Sequence, residues 1–187
     1  MTAIVGIQLD NCAVIAADSL ITYNGRKYEA DSMLKIFEKA GYVYAFAGDS
    51  QAADIAAYCW TPPKIAYTKD PVSFLVGTVL PSLRAAMIAN GYVIDAADKE
   101  SGWDALFVIN GKIFEVDHYF SWSQDDKGYY GIGAGGATAL GAVAVLEPTD
   151  LESAEAAAIK AIKISSDYND SVGGKIQLSI QRSRNVH

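Results

Sequence analysis

Histidine is nearly missing from this chain of 187 residues, which holds His118 and the terminal His187 and no other. A serine or cysteine nucleophile that relies on imidazole would have to use His118, because a chain-terminal side chain is a poor anchor for catalysis. His118 lies in Glu115-Val116-Asp117-His118-Tyr119, a stretch that reads as a strand or its end, and a structural or surface role fits it. The same scarcity starves a His-ligated metal site, so no metal or cofactor is expected. Cysteine is as scarce: Cys12 and Cys59 have no ligand spacing and imply no disulfide framework, which fits a reduced, cytoplasmic setting. Basic residues number 15 against 22 acidic ones, a net charge of -7, and no long Lys/Arg cluster occurs. A nucleic-acid surface is therefore not expected. With five prolines and 51% hydrophobic residues the chain does not have a disordered composition. No run reaches the ~18 apolar residues of a membrane span. The opening Ile4-Val5-Gly6-Ile7 is short and lacks the basic flank of a signal peptide.

What remains is enough for one domain over 1–187 with a sizeable core. Apolar runs at 3–9 and 12–17, separated by Asp10-Asn11, read as a hairpin, and 34–38 with 42–47 repeat the pattern. Gly48-Asp49-Ser50 offers a helix N-cap for an Ala-rich helix over 51–60, which Thr61-Pro62-Pro63 ends. A second helix is expected over 72–89, kinked or divided at Pro81. Asn110-Gly111 is a strong two-residue turn between strands at 104–109 and 112–119. A strand at 129–132, helices at 137–146 and 151–166 and a strand at 175–181 complete the chain. The order is four strands, two helices, three strands, two helices, one strand. Short turns imply antiparallel sheets, and helices with apolar faces must cover them. The Gly-rich stretch 131–136 is not a dinucleotide fingerprint, since no parallel βαβ unit surrounds it.

Thr2 is the most telling residue. Its small side chain permits removal of Met1, and the new terminus would then carry a hydroxyl and a free α-amine on one residue. An amine of pKa about 7.7–8.0 is a usable base at neutral pH. A threonine hydroxyl activated by its own amine runs acyl transfer without histidine.

The order and spacing of several short motifs carry a resemblance over nearly the full length. They are Thr2-Ala3-Ile4-Val5-Gly6, Val14-Ile15-Ala16-Ala17-Asp18-Ser19, Lys35-Ile36-Phe37, Phe46-Ala47-Gly48, Gly131-Ile132-Gly133-Ala134-Gly135-Gly136 and the segment 161–176. In these the chain resembles the proteasome β-subunit and its bacterial relative, the protease ring of the HslUV system, which are N-terminal nucleophile hydrolases. The resemblance implies an α+β fold, a four-layer α-β-β-α sandwich with two mainly antiparallel sheets between helix layers. It implies a threonine-type peptidase with Thr2 as nucleophile, acting on a polypeptide within a homo-oligomeric ring, with an ATP-dependent unfoldase as a possible partner. Lys35 would stand beside the nucleophile, Asp18 would keep Lys35 charged and oriented, and the N–H of Gly48 would point at the developing oxyanion.

Each of these residues has a plainer alternative: a solvated strand lysine, an Asx-turn aspartate, a turn glycine. The resemblance also places Ile21, Met33 and Phe46 around the substrate pocket, all apolar. Two departures stand out. Ala134 occupies the place of a family serine near the nucleophile's amine. Asn169 and Val172 replace an aspartate and a serine, with Asp167, Asp170 and Ser171 close by. Ala134 keeps open a catalytically impaired ring or scaffold subunit, and an N-terminal nucleophile amidase acting on a small amide is a third reading.

Overall fold

The computed structural model describes residues 2–23, 25–29, 33–66, 70–92 and 102–184. Met1 and His187, both invoked above, lie outside them. Eleven strands are described: β1 Ile4–Gln8, β2 Cys12–Ala17, β3 Leu20–Tyr23, β4 Arg26–Glu29, β5 Ile36–Lys39, β6 Tyr42–Gly48, β7 Trp103–Ile109, β8 Lys112–Asp117, β9 Trp122–Ser123, β10 Tyr129–Ile132 and β11 Gln177–Arg182. They form a four-stranded sheet in the order β10-β1-β2-β11, a five-stranded sheet β5-β6-β7-β8-β9, and the separate hairpin β3-β4. Every pairing is antiparallel. The hairpin and β9 add three strands to the expected order. β4 is exposed throughout, so it carries no apolar alternation by which the sequence could have revealed it.

Alternation along the strands sorts their side chains into separate cores. Ile4, Ala13, Ile15 and Ala17 from the first sheet meet Val43, Ala45, Leu106, Val108 and Ile113 from the second, so the two sheets pack face to face. The other face of the first sheet (Ala3, Val5, Ile7, Val14, Ala16) is covered by two helices, α3 (Gly136–Leu146) and α4 (Leu151–Tyr168), through small residues such as Ala139, Ala154, Ala158 and Ala161. The outer face of the second sheet carries Tyr42, Tyr44, Phe46, Phe107 and Phe114. It packs under α1 (Ser50–Asp54, continuing as a π-helical turn Ile55–Cys59) and α2 (Pro71–Ala89). The result is the expected four-layer α-β-β-α sandwich.

Local chemistry places the helices. The Asp49 carboxylate accepts the Gln51 N–H (2.7 Å) and caps α1, and Asp70 caps α2 through the Ser73 N–H (3.0 Å). Asp150 and Ser153 form a reciprocal capping box on α4. Pro81 does not divide α2. A π-helical turn, Leu75–Val79, precedes it, and the Leu80 N–H bonds back to Leu75 O. The wider turn absorbs the proline without ending the helix.

Gly77, Thr78, Ser82 and Arg84 interrupt the apolar run, so no run of ~18 apolar residues occurs there. By length and composition alone the continuous helix Pro71–Ala89, 19 residues with a window of mean hydropathy 1.7, is long and apolar enough to cross a membrane. In this fold Leu75, Val79, Leu83 and Met87 are buried against the second sheet, while Val76 and Ile88 face outward.

The aromatic core under α1 also sets a pH dependence. The Tyr44 hydroxyl donates to Ala56 O (2.9 Å) in a buried site, and burial pushes its pKa from 10.0 to about 12. The folded chain therefore holds this proton to higher pH than the unfolded chain does. Its stabilising share is complete below about pH 10 and is lost as pH rises through about 12. Tyr44→Phe should be less stable than the parent at neutral pH, by about 1 kcal/mol for the lost hydrogen bond. The gap should close as pH climbs through that window. Urea unfolding at stepped pH measures it, and a gap independent of pH would refute the assignment.

Candidate active site

The strand β2 ends at Ala17, and Asp18 follows it with no exposed surface. A carboxylate held out of water must be satisfied by donors. Asp18 has four. Its Oδ1 accepts the Ala3 N–H (2.9 Å) and the Lys35 ammonium (2.7 Å). Its Oδ2 accepts the N–H groups of Leu20 (3.2 Å) and Gly173 (3.1 Å). The Leu20 bond is the Asx-turn contact of the plainer reading, so the turn role and the pairing role coexist.

Lys35 precedes β5 and is 7% exposed. Its Nζ also donates to Leu20 O (2.7 Å). The reading of a solvated strand lysine is therefore overturned. Burial pulls the Lys35 ammonium below its ordinary 10.5, and the charge and hydrogen bond of Asp18 oppose that pull. Because one carboxylate oxygen binds both Lys35 and the amide of residue 3, the ammonium lies beside the start of β1, where Thr2 sits 8% exposed.

The glycine-rich turn after β10 closes over Thr2. The Gly135 N–H donates to Thr2 O (3.1 Å), and the Ser165 hydroxyl of α4 donates to Gly135 O (2.9 Å). Gly133 has φ 81°, and a methyl there would overlap Thr2 O and lie 3.1 Å from the Ala47 Cβ. Only glycine fits that turn, which brings the end of β6 against residue 2.

Gly48 ends β6 with φ 99°. Asp49 N–H bonds to Gly102 O (3.2 Å) on the β7 side, and Phe46 N–H bonds to Lys35 O (3.3 Å) on the β5 side. Amides alternate between the two sides of a strand, so the Gly48 N–H points toward the Lys35 side, past the last bond of that ladder.

The fold thus brings Thr2, Asp18, Lys35 and Gly48 together. It does not group the three pocket residues in the same way. Phe46 is packed among Tyr44, Trp103 and Phe107 in the aromatic core, Ile21 is half-buried on β3, and Met33 is exposed. Around the turn, Asn169 Nδ2 donates to Ala134 O (3.3 Å), and the buried Ser171 hydroxyl donates to Asp170 (3.1 Å). Among the described residues no group of three or more His, Cys, Asp and Glu side chains could hold a metal ion.

Sequence reasoning missed Gln177. Its Oε1 accepts the N–H groups of Lys35 (2.8 Å) and Ile36 (3.2 Å), and its Nε2 donates to Met33 O (3.1 Å). No local signal marks a contact across 142 residues. It also missed a row of carboxylates. Asp104 pairs with Ala47 and with Asp117, and Glu115 lies two residues from Asp117 on the same face. Burial holds Asp104 and Glu115 above the usual carboxylate range; neighbouring carboxylates add to this, and His118 opposes it at Asp104.

Breaking the buried pair has unequal costs on its two sides. Asp18→Asn removes the charge that Lys35 needs and should cost about 3–5 kcal/mol in urea unfolding, the penalty of an unpaired buried ion. Lys35→Met leaves Asp18 with three backbone donors and should cost less, about 1–3 kcal/mol. Equal losses would mean that the backbone donors do not stabilise the carboxylate.

No protein-family model and no curated protein sequence matches the chain. Solved structures do. Thiobacillus denitrificans BPH in complex with epoxomicin superposes with a TM-score of 0.79 at 22% identity, over 98% of this chain and 100% of that one. HslV from Trypanosoma brucei gives 0.65 at 20% identity, over 95% and 98%. Anbu, an ancestral β-subunit from Yersinia bercovieri, gives 0.69 at 15% identity, over 96% and 81%. The chain shares the four-layer fold of these HslV-like and ancestral β-subunit structures.

Proposed function

We propose that this chain is a threonine-type peptidase whose nucleophile is Thr2, exposed by removal of Met1. The observation that carries this reading is the Asp18 Oδ1 atom, which holds both the Ala3 amide and the Lys35 ammonium. A positive charge beside Thr2 lowers the cost of forming an alkoxide there.

In this reading the Thr2 hydroxyl gives its proton to its own α-amine, and Oγ bonds to the carbonyl carbon of a peptide. Negative charge moves to the carbonyl oxygen, which the Gly48 N–H stabilises; one such donor is worth about 10²–10³ in rate. The C–N bond then breaks, the leaving amine takes the proton, and an ester remains on Thr2. Water adds to the ester, releases the acid and restores the hydroxyl. Asp18 acts through Lys35, keeping it charged and oriented. Ile21, Met33 and Phe46 would give an apolar surrounding before the cut, with Phe46 acting from beneath the sheet.

The catalytically impaired reading rests on one observation: the turn next to Thr2 offers the Ala134 methyl where a hydroxyl would help move protons, and Asn169 binds its carbonyl instead. Loss of such a helper costs about 10²–10⁴ in rate, which can reduce an enzyme without silencing it.

A mixed fluorogenic peptide library separates the readings. The parent, with Met1 removal confirmed by intact mass, should cleave after bulky apolar residues, with discrimination of about 1–3 kcal/mol per methylene. Thr2→Ala should abolish cleavage without unfolding the protein, and Lys35→Ala should act likewise. Epoxomicin, bound by BPH, should inhibit the parent. A processed parent that cleaves nothing supports the impaired subunit, and preference for Arg before the cut would implicate the row at Asp104, Glu115 and Asp117.

Ring assembly belongs to the same proposal. Of the large apolar residues on and beside the two helices over the second sheet, Trp60 and Leu75 are core and Phe74 is packed against it, but Tyr58 is 72% exposed. Val76 and Ile88 on α2 and Val145 and Tyr168 on the opposite layer add outward apolar surface. Such surface suits partners. Light scattering at micromolar concentration should give a mass several times 20.0 kDa; a monomer would rule out a stable ring, and with it docking of an unfoldase on a ring.

A further inference from the structure

The facing edges of the two sheets are joined by one polar row. Gln177, Ser179 and Gln181 alternate along β11, so they share a face, while Leu178 and Ile180 face the other way. The row crosses to the second sheet. Ser179 Oγ donates to Glu38 (2.6 Å); Gln181 Nε2 donates to Gly41 O (2.6 Å) and Val108 O (3.1 Å), and its Oε1 accepts the Gly111 N–H (2.7 Å). β11 is an edge of its sheet and β5 an edge of the other, with no ladder between them.

Gln177 stands at the end of this row nearest Asp18, paired with Ala17 in the register. Its amide does for β5 what a neighbouring strand would do. The oxygen accepts from two consecutive N–H groups, and the nitrogen donates a hydrogen bond to a carbonyl two residues earlier than the first. The direction of the amide is fixed by its partners, since two donors must meet its oxygen. Lys35 needs such a hold. It lies one residue before β5 begins, and its own strand bond to Phe46 is 3.3 Å long. Its flexible stem must still deliver Nζ to Asp18 and Leu20 O.

We propose that Gln177 is a positioning residue: it pins the backbone at Lys35 so that the ammonium stays on Asp18 beside Thr2. The kinetic consequence rests on the threonine-peptidase reading, whereas the pinning itself does not. A misplacement of about 1 Å in a catalytic group can cost up to about 10²-fold in rate.

The test compares Gln177→Leu, which loses all three bonds, with Gln177→Glu, which keeps an oxygen for the Lys35 and Ile36 amides, in the full chain. Gln177→Leu should lower kcat about 10-fold with KM within about two-fold, because the pinned group acts on the reacting atoms and not on peptide binding. It should also speed amide exchange at Lys35 and Ile36 by about 10-fold relative to the β6 amides. Gln177→Glu should restore the slow exchange and most of kcat. Should Gln177→Leu not fold, Gln177→Asn, one methylene too short to span the same partners, takes its place. Unchanged exchange at Lys35 in the variant overturns the proposal, as does a change confined to KM. If the processed parent cleaves no peptide, the peptidase reading fails and exchange decides alone: fast in Gln177→Leu and slow in Gln177→Glu supports the pinning, and equal rates overturn it.

Discussion

A single carboxylate with no exposed surface organises this end of the molecule. Asp18 gathers donors from the start of β1, the entry to β3, the loop before β11 and the residue that leads into β5. Three of these donors lie within 17 residues of Asp18 and the fourth comes from 155 residues away; leaving the charge short of any of them would be costly. The fold around Thr2 is thus tied by the requirement to satisfy one ion, and the hydrophobic packing beneath it need only be approximately right.

That packing provides the platform. The inter-sheet core is apolar and brings the two sheets face to face, so the ends of β2 and β6 meet across it. Packing of apolar side chains has little directional preference, and alone it would leave the sheets free to slide by fractions of a residue. Two devices at the edge remove that freedom. The glycine turn at Gly133 and Gly135 docks on Thr2 O and against Ala47, and the β11 row of Gln177, Ser179 and Gln181 bonds the second sheet at defined atoms.

The layer order was legible wherever a strand buries one or both faces. β1, β2, β6, β7 and β8 announce themselves by apolar runs and by turn pairs such as Asn110-Gly111, and Asp49 marks a helix start by its capping chemistry. The β3-β4 hairpin did not show, since β4 is exposed along its length and its pairing depends on tertiary context. The continuity of α2 was hidden because proline normally breaks a helix and the π turn that accommodates Pro81 has no sequence signature of its own. The grouping of Thr2, Asp18, Lys35 and Gly48 was visible through resemblance and not through spacing; the fold ties Lys35 and the Ala3 amide to Asp18. Gln177 was invisible to both, because a side-chain amide that replaces a missing strand leaves no local pattern. The burial of the proposed pocket residues was not legible either: Phe46 lies in the aromatic core and Met33 is exposed, which no neighbour in sequence would reveal.

The energetics of the Asp18–Lys35 pair bear on the proposed reading. Desolvating two ions costs several kcal/mol each, and a buried pair is usually no more stabilising than apolar residues of similar volume. A chain selected only for a tight sandwich would do as well with well-packed apolar residues at both positions 18 and 35. Lys35 instead brings a charge into a site 7% exposed, where burial works against its ionisation. That cost has no return in packing. It has one in chemistry, since a fixed positive charge in a low-dielectric site acts far more strongly on a developing alkoxide than the same charge in water. In the proposed peptidase reading, the neighbour that gives the pair its use is Thr2.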